Sequence, residues 1–144
     1  MSLIDFEIST DRARIDIALV QDLLSTTYWG TGRTLAVVER IVQNSVCFGG
    51  YLQGQQVAFG RLITDFAAIA YFADIIVVPE CRGRGFGKAI VRSMLEYTDQ
   101  QGVAAVLLRT RDARGLYEKF GFGPVQRPQE MMRRSLPELK PDVD

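Results

Sequence analysis

The chain has 144 residues, with 47% hydrophobic and 24% charged side chains, proportions typical of one soluble globular domain that buries its own core. Seventeen basic residues balance seventeen acidic ones, so no whole-chain charge attracts nucleic acid or an anionic membrane. No histidine is present, which excludes Ser-His and Cys-His triads and His-based zinc sites, and we expect no metal.

Targeting and redox signals favour a cytoplasmic protein without a membrane partner. The apolar segment at residues 66–79 is interrupted by Asp74 and is too short to span a bilayer. Residues 1–14 lack the apolar core of a signal peptide. Cys47 and Cys81 lie far apart and form no CxxC pattern, which suits a reducing compartment.

In chain order, the first half of the sequence predicts a strand at residues 5–9, a helix at residues 11–24, a helix at residues 34–44, and strands at residues 46–52 and 56–63. Thr10 or Asp11 caps the first helix, and Thr34 caps the second. Between the helices, residues 25–33 form a loop with two large aromatic side chains. Residues 53–55 predict a hairpin turn between the two strands.

The second half predicts a strand at residues 71–78, a helix at residues 86–101 ended by Gly102, a strand at residues 103–109, a short helix at residues 112–119, and final strands at residues 122–125 and 130–136. This order predicts one mixed α/β domain at residues 1–136. Prolines in a polar segment predict a loose C-terminal tail at residues 137–144.

Residues 81–88, Cys-Arg-Gly-Arg-Gly-Phe-Gly-Lys, form a glycine-rich turn between a buried strand and a helix. The first N–H groups of a helix have no partner within it, and the helix dipole adds positive potential there, so phosphate binds readily. The glycines let a ligand approach these amides, and the basic side chains add charge. The pattern has neither the spacing and Ser or Thr of a nucleoside-triphosphate loop nor the spacing of a dinucleotide fingerprint. The remaining alternatives are an anion site and a plain turn.

Arg82, Gly85 and Gly87 fit the pattern R-x-x-G-x-G, and residues 113–122 fit A-x-x-L-Y-x-x-x-G-F. These two motifs, in this order, resemble the GNAT family of N-acetyltransferases, in which the first wraps the pyrophosphate of coenzyme A. The resemblance covers nearly the whole chain. It implies the GNAT fold, a mixed central sheet of about six to seven strands flanked by about four helices, with the central strand splayed at the cofactor site.

The resemblance further implies acetyl-CoA as co-substrate, and it assigns the binding residues. These are Ile75, Ile76 and Val77 along the pantetheine arm, Arg82, Gly83, Arg84, Gly85, Phe86, Gly87 and Lys88 in the loop, and Thr110 and Tyr117 farther along the chain. Thr110 stands where the family often has Asn. Tyr117 matches the family's tyrosine near the sulfur and is our candidate general acid, although it could equally serve packing.

Asp74 is the one charge in an apolar strand, where an unpaired carboxylate is costly. It is therefore either a general base or amine anchor, or half of an ion pair with an arginine such as Arg109. Tyr28, Trp29 and Arg33 are candidate walls of the acceptor site, with Arg33 available for a carboxylate. A structural role for Trp29 as a core plug is the alternative.

The resemblance implies direct transfer of an acetyl group to a primary amine of a small molecule or peptide, in a ternary complex. Two alternatives stay open: a CoA-binding sensor or structural module without turnover, and an acyltransferase that uses another acyl-CoA. A homodimer is a family-level expectation.

Overall fold

The computed structural model describes residues 5–136. The chain falls into two compact units that divide between Arg109 and Thr110. The single domain expected at residues 1–136 stays a prediction, and the predicted tail at residues 137–144 lies outside the described residues. In the part of the chain that is described, no helix is both long and apolar enough to cross a membrane.

One mixed β-sheet forms the centre of the first unit. Its strands are β1 (Phe6–Ser9), β2 (Val46–Leu52), β3 (Gln55–Thr64), β4 (Ile69–Val77) and β5 (Ala105–Leu108). They lie side by side in that order, and neighbours are antiparallel except for β4 and β5, which are parallel. The hairpin turn between β2 and β3 places Gln53 and Gly54 at φ values of 50° and 80°, which is the left-handed pair that a tight two-residue hairpin requires.

Three helices complete the first unit, namely α1 (Ile17–Ser25), α2 (Leu35–Gln43) and α3 (Phe86–Gln101). The Thr34 side chain accepts a hydrogen bond from the Val37 N–H and caps α2, as predicted. Gly102 ends α3 in the left-handed conformation, also as predicted.

The helix predicted at residues 11–24 is divided in the structure. A short 3-10 turn at Arg12–Arg14 comes first, and α1 begins only after Asp16, whose side chain accepts from the Leu19 N–H at 3.0 Å. The Asp16 N–H donates to Gln56 Oε1 on β3, at 2.7 Å, instead of to a helical carbonyl. This long-range bond holds the backbone extended at a position where periodicity alone favours helix.

The two faces of the sheet are covered by different helices. Phe59 of β3 is buried with side chains of α1 and α2, whereas an added Cβ at the next residue, Gly60, would lie 2.8 Å from Ile90 and 2.9 Å from Met94 of α3. Successive strand residues point to opposite faces. The sheet therefore lies between α1 and α2 on one side and α3 on the other. The first of these cores contains Ile15, Val20, Leu23, Leu24, Val38, Val42, Cys47, Phe59 and Ile76.

The second unit contains the helix α4 (Arg114–Glu118) and a 3-10 turn at Pro128–Glu130. Within its described residues, 110–136, no β-strand forms, so the strands predicted at residues 122–125 and 130–136 are wrong. The sheet has five strands where six to seven were expected. Pro124 and Pro128 remove backbone donors that a strand ladder needs, and Gly123 weakens strand conformation further.

Candidate functional site

β4 parts from β5 before it ends. Their pairing stops at Phe72 and Leu108, whereas β4 continues to Val77. Among residues 5–136, β5 is the only strand on that side of β4 in the sheet. Residues 73–77 consequently have one backbone edge without a neighbouring strand among the described residues.

A β-bulge interrupts β4 at the start of this edge. Phe59 of β3 pairs with Ile76 and Arg61 pairs with Ala73, so two residues of β4 lie opposite Gly60. The first of these two, Asp74, has φ 56°, a left-handed conformation that Asp tolerates better than most residues. Bulges turn side chains away from the regular alternation of a strand. This one directs the Asp74 carboxylate to the face that α1 and α2 cover.

The Asp74 carboxylate accepts four hydrogen bonds. Its Oδ1 accepts from Trp29 Nε1 at 2.7 Å and from Arg33 Nη1 at 3.1 Å, and its Oδ2 accepts from the same Arg33 nitrogen at 3.0 Å and from Arg61 Nε at 2.5 Å. A carboxylate has about four lone-pair positions, so this one has none left for another donor.

The charges of the two arginines outweigh the burial of Asp74. Burial alone would raise the pKa of this carboxyl, but the Arg61 and Arg33 guanidinium groups and their hydrogen bonds hold it below its ordinary value. The group is therefore ionised at neutral pH, and it is a weak base. The ion-pair alternative predicted for Asp74 is the arrangement that forms, with Arg61 and Arg33 as partners; the suggested partner, Arg109, is wrong.

Arg61 was not singled out in the sequence, although it is the most buried partner of Asp74. Its side chain is 10% exposed, and its Nη1 donates to Ser45 Oγ at 3.0 Å. The available signal was the same as for Asp74, namely a charged residue within the apolar strand of residues 57–63. Two opposite charges on antiparallel strands joined by a turn near Asp65 are in position to pair.

Of the three predicted acceptor-site residues, Trp29 and Arg33 meet at Asp74. The Tyr28 ring contacts the Trp29 ring edge-on, with centroids 5.0 Å apart. Trp29 is partly buried and packs against the core below α1 and α2 while its indole N–H reaches the carboxylate. It thus serves the core and the polar cluster together. The Arg33 side chain remains 25% exposed.

The glycine-rich turn lies at the other end of residues 73–77. Gly83 and Gly85 have φ values of 79° and 88°, which an L side chain rarely adopts. Gly85 is the N-cap of α3 and offers no side chain to its first turn. The N–H groups of Phe86, Gly87 and Lys88 donate to no acceptor among residues 5–136.

The space around this turn fits a bound anion. An added Cβ at Gly83 would meet no atom within 4 Å, and one at Gly87 would meet Val77 only at 3.7 Å. Arg84 and Lys88 are exposed beside the amides, whereas Arg82 turns back and donates through Nε to the Val77 carbonyl at 3.0 Å. Arg82 therefore ties the turn to the end of β4. Helix-terminal amides without an internal acceptor, with basic side chains beside them, are a common arrangement for binding phosphate.

The second unit holds the other predicted residues. Tyr117 is partly buried, and its ring contacts Phe122 at a centroid distance of 5.9 Å. Thr110 Oγ1 accepts from the Ala113 N–H at 3.0 Å, just before α4. That oxygen still has a hydroxyl proton to donate.

The two cysteines of the first unit are not exposed. Both Cys47 and Cys81 are buried free thiols. Burial raises the pKa of Cys47 to about 11, so this thiol is neutral at pH 7.

Comparison with known proteins identifies the family. The model of the acetyltransferase (GNAT) domain matches residues 43–124, more than half of the chain. A crystal structure of a provisionally assigned GNAT acetyltransferase from Xanthomonas campestris pv. campestris is 44% identical and covers 93% of this chain and 95% of its own, with a TM-score of 0.87.

More distant relatives agree in fold. A provisionally assigned acetyltransferase of Gibberella zeae is 25% identical over 138 residues, covering 80% of this chain and 77% of the relative. A Mycobacterium tuberculosis protein solved in complex with CoA has a TM-score of 0.70 at 20% identity, covering 83% of this chain and 73% of its own. With the family model, the sheet and the glycine turn in agreement, the chain belongs to the GNAT family of acetyltransferases.

Proposed function

We propose that the protein is an acetyl-CoA-dependent N-acetyltransferase that transfers an acetyl group directly to a primary amine of a small molecule or peptide. The observation that carries this proposal is the set of N–H groups at Phe86, Gly87 and Lys88, which have no acceptor among the described residues and begin α3, after the turn that follows β4. Family membership supports the reaction class.

The residues of the turn fit the pyrophosphate of the cofactor. Backbone amides of the turn and the first residues of α3 would hold the phosphate oxygens, with Arg84 and Lys88 adding charge. Gly83, Gly85 and Gly87 keep that approach open. Upstream, the unpaired edge at Ile75, Ile76 and Val77 would hydrogen-bond the amide groups of the pantetheine arm, as an added strand would.

Acetyl-CoA, when bound, supplies an activated thioester. Transfer forms a C–N bond between the amine and the acetyl carbon and breaks the C–S bond. We assign Tyr117 to protonate the departing sulfur, and the proton that the amine releases through water restores the tyrosine hydroxyl. A backbone N–H of residues 75–77 is the candidate donor to the carbonyl oxygen as negative charge develops there. We also propose Thr110 as a hydrogen-bond donor to the cofactor.

Asp74 acts in this proposal as a positioning residue. All four lone-pair positions of its carboxylate are occupied and its pKa is lowered, so its surroundings disfavour the general-base role. It joins the bulge of β4 to Trp29 and Arg33 in the loop between α1 and α2. Passage of the amine proton through water to the Tyr117 oxygen requires no base from this cluster.

The proposal includes a cytoplasmic location and a homodimer. Two free, buried thiols suit a reducing compartment such as the cytoplasm. A homodimer stays a family-level prediction.

Two parallel measurements test the proposed function. Calorimetric titration with CoA measures binding, and a thiol-release assay with acetyl-CoA over a panel of amines measures turnover. We expect both binding and turnover of at least one class of amine. Tight binding without turnover of any amine would favour the sensor, and faster turnover of longer acyl-CoAs would favour the other donor.

A further inference from the structure

Only one nitrogen of the Arg33 guanidinium is used within the described part of the protein. Nη1 makes both contacts to Asp74, at 3.0 and 3.1 Å, and its Nε and Nη2 have no partner among residues 5–136. No side-chain nitrogen that is buried in this part of the chain lacks a partner, so these two nitrogens reach solvent. Together they form the edge of the guanidinium that binds carboxylate or phosphate through two parallel hydrogen bonds.

The cluster around this edge has excess positive charge. The carboxylate of Asp74 faces two guanidinium groups, and the other side chains hydrogen-bonded to it or to Arg61, Trp29 and Ser45, are uncharged. One positive charge therefore remains without a counter-charge in the cluster. Because Arg61 is almost buried and Arg33 is partly exposed, the uncompensated charge faces solvent at Arg33.

The position of this edge connects it to the proposed reaction. Arg33 is held against Asp74, and Asp74 is followed directly by Ile75, the first residue assigned to the pantetheine arm. An acid group bound at Arg33 would thus hold a small molecule beside the segment of β4 at which the acyl group is delivered. Two fixed hydrogen bonds orient such a molecule as well as retain it.

We propose that the acceptor is an amine that also carries an acid group, carboxylate or phosphate, and that the Nε–Nη2 edge of Arg33 binds that acid group. This rests on the proposed function and narrows it to a substrate class. Polyamines and other purely cationic amines are disfavoured, because the cluster already holds an unpaired positive charge.

Paired substrates test the proposal in the thiol-release assay. One arm compares each α-amino acid with its amide, and a second compares phosphate esters of small amino alcohols with the free amino alcohols. We expect kcat/KM for the acid-bearing member of a pair to exceed that of its neutral analogue by about tenfold or more, as charged hydrogen bonds allow. The arm in which this ratio of kcat/KM values is larger identifies whether the acid group is a carboxylate or a phosphate.

Substitution of Arg33 separates specificity from structure. In Arg33→Gln the ratio between acid-bearing and neutral amines should fall to about one, whereas a merely structural role would lower both rates together. Arg33→Lys keeps the charge without the two-pronged geometry and should retain part of the ratio. Arg40→Gln removes an exposed charge from α2 and should leave the ratio unchanged.

A binding measurement makes the test independent of turnover. Trp29 is the only tryptophan of the chain and shares the Asp74 carboxylate with Arg33, so its fluorescence reports on the cluster. We expect saturable fluorescence changes with acid-bearing amines in the wild type and in Arg40→Gln, but not in Arg33→Gln. Turnover without preference for acid-bearing amines would overturn this inference alone. Saturable binding at Arg33 with no turnover would overturn the proposed function alone, and the absence of both would overturn both.

Discussion

The polar groups before and after the unpaired edge of β4 differ in whether they have hydrogen-bond partners within the protein. At the upstream end, the Asp74 carboxylate accepts four hydrogen bonds from within the protein and has no capacity left. At the downstream end, the first amides of α3 donate to no acceptor in the described residues, and the glycines around them leave open space. The Asp74 carboxylate can therefore only hold its neighbours in place, whereas the first amides of α3 can still donate to a ligand.

This difference separates a positioning role for the Asp74 carboxylate from a binding role for the first amides of α3. From the sequence alone, Asp74 and the glycine-rich turn are equally good candidates for a functional role, because a charge in an apolar strand and a glycine turn before a helix each indicate function. Counting hydrogen-bond partners distinguishes them, since a buried polar group in a folded protein is normally satisfied.

The largest effect is expected from removing the charge at the upstream end. Asp74→Asn leaves the nearly buried Arg61 without its counter-charge, and we expect the free energy of unfolding to fall by about 3 kcal/mol in urea titrations at pH 7. Asn tolerates the positive φ of the bulge, so backbone strain does not confound the result. Glu39→Gln, which removes an exposed carboxylate from α2, is the matched control. A loss equal to that of the control would show that the network contributes no net stability.

At the downstream end, a carboxylate should displace the ligand without unfolding the protein. Gly87→Glu places a negative charge among the first amides of α3, and we expect CoA affinity to fall by about 100-fold or more in calorimetry. A Glu side chain in the first turn interacts favourably with the helix dipole, so we expect the melting temperature to stay unchanged. Ala18→Glu puts the same side chain at the second position of α1, where it is exposed, and should bind CoA as the wild type does. Unchanged affinity in Gly87→Glu would reduce the turn to a connector.

Tyr117→Phe tests whether Tyr117 acts as the general acid, a role distinct from cofactor binding at the glycine turn and from the Asp74 network. We expect kcat to fall by about 100-fold while the Kd for CoA stays within a few-fold, because only the proton donor is removed. Tyr97→Phe, on α3 with its ring against Phe48, removes a hydroxyl elsewhere and should leave kcat unchanged. Equal kcat in Tyr117→Phe and wild type would exclude the general-acid role.

The smallest expected effect is on the pH dependence of stability. The pKa of Asp74 is lower in the folded protein than its ordinary value, so its contribution is present above about pH 3.9 and is lost as the pH falls below that value toward the folded pKa. Free energies of unfolding measured from pH 6 to pH 3 should fall more steeply for the wild type than for Asp74→Asn. Parallel slopes would show that the carboxylate is not held ionised.

Local sequence signals predicted the elements of this fold that local bonds determine. The bounds of β2 and α3, the Thr34 cap and the Gly102 cap all follow from periodicity and capping within a few residues. The division of the first helix did not follow, because Asp16 is held by Gln56, 40 residues away. Local patterns do not report bonds of that length.

In the site, too, local features were predicted and long-range contacts were not. The glycine turn is a local feature, and its geometry agrees with the motif. The bulge at Asp74 depends on how β3 and β4 register, which the apolar pattern of β4 does not reveal. Arg61 was not predicted as the partner of Asp74 because that register was unknown, although both charges are present in the sequence of the two strands. The strands predicted at residues 122–125 and 130–136 were wrong. In the first of them Pro124 removes a backbone donor that a ladder needs, whereas residues 130–136 contain no such local signal against a strand.

The most direct test is an amide NMR titration of the nitrogen-15-labelled protein with CoA. Saturable shifts should be largest at the backbone amides of Phe86, Gly87 and Lys88, while the indole N–H of Trp29, already bonded to Asp74, should shift less. Saturation without movement of these three amides, or no saturation at all, would contradict the assignment of the turn as the phosphate site.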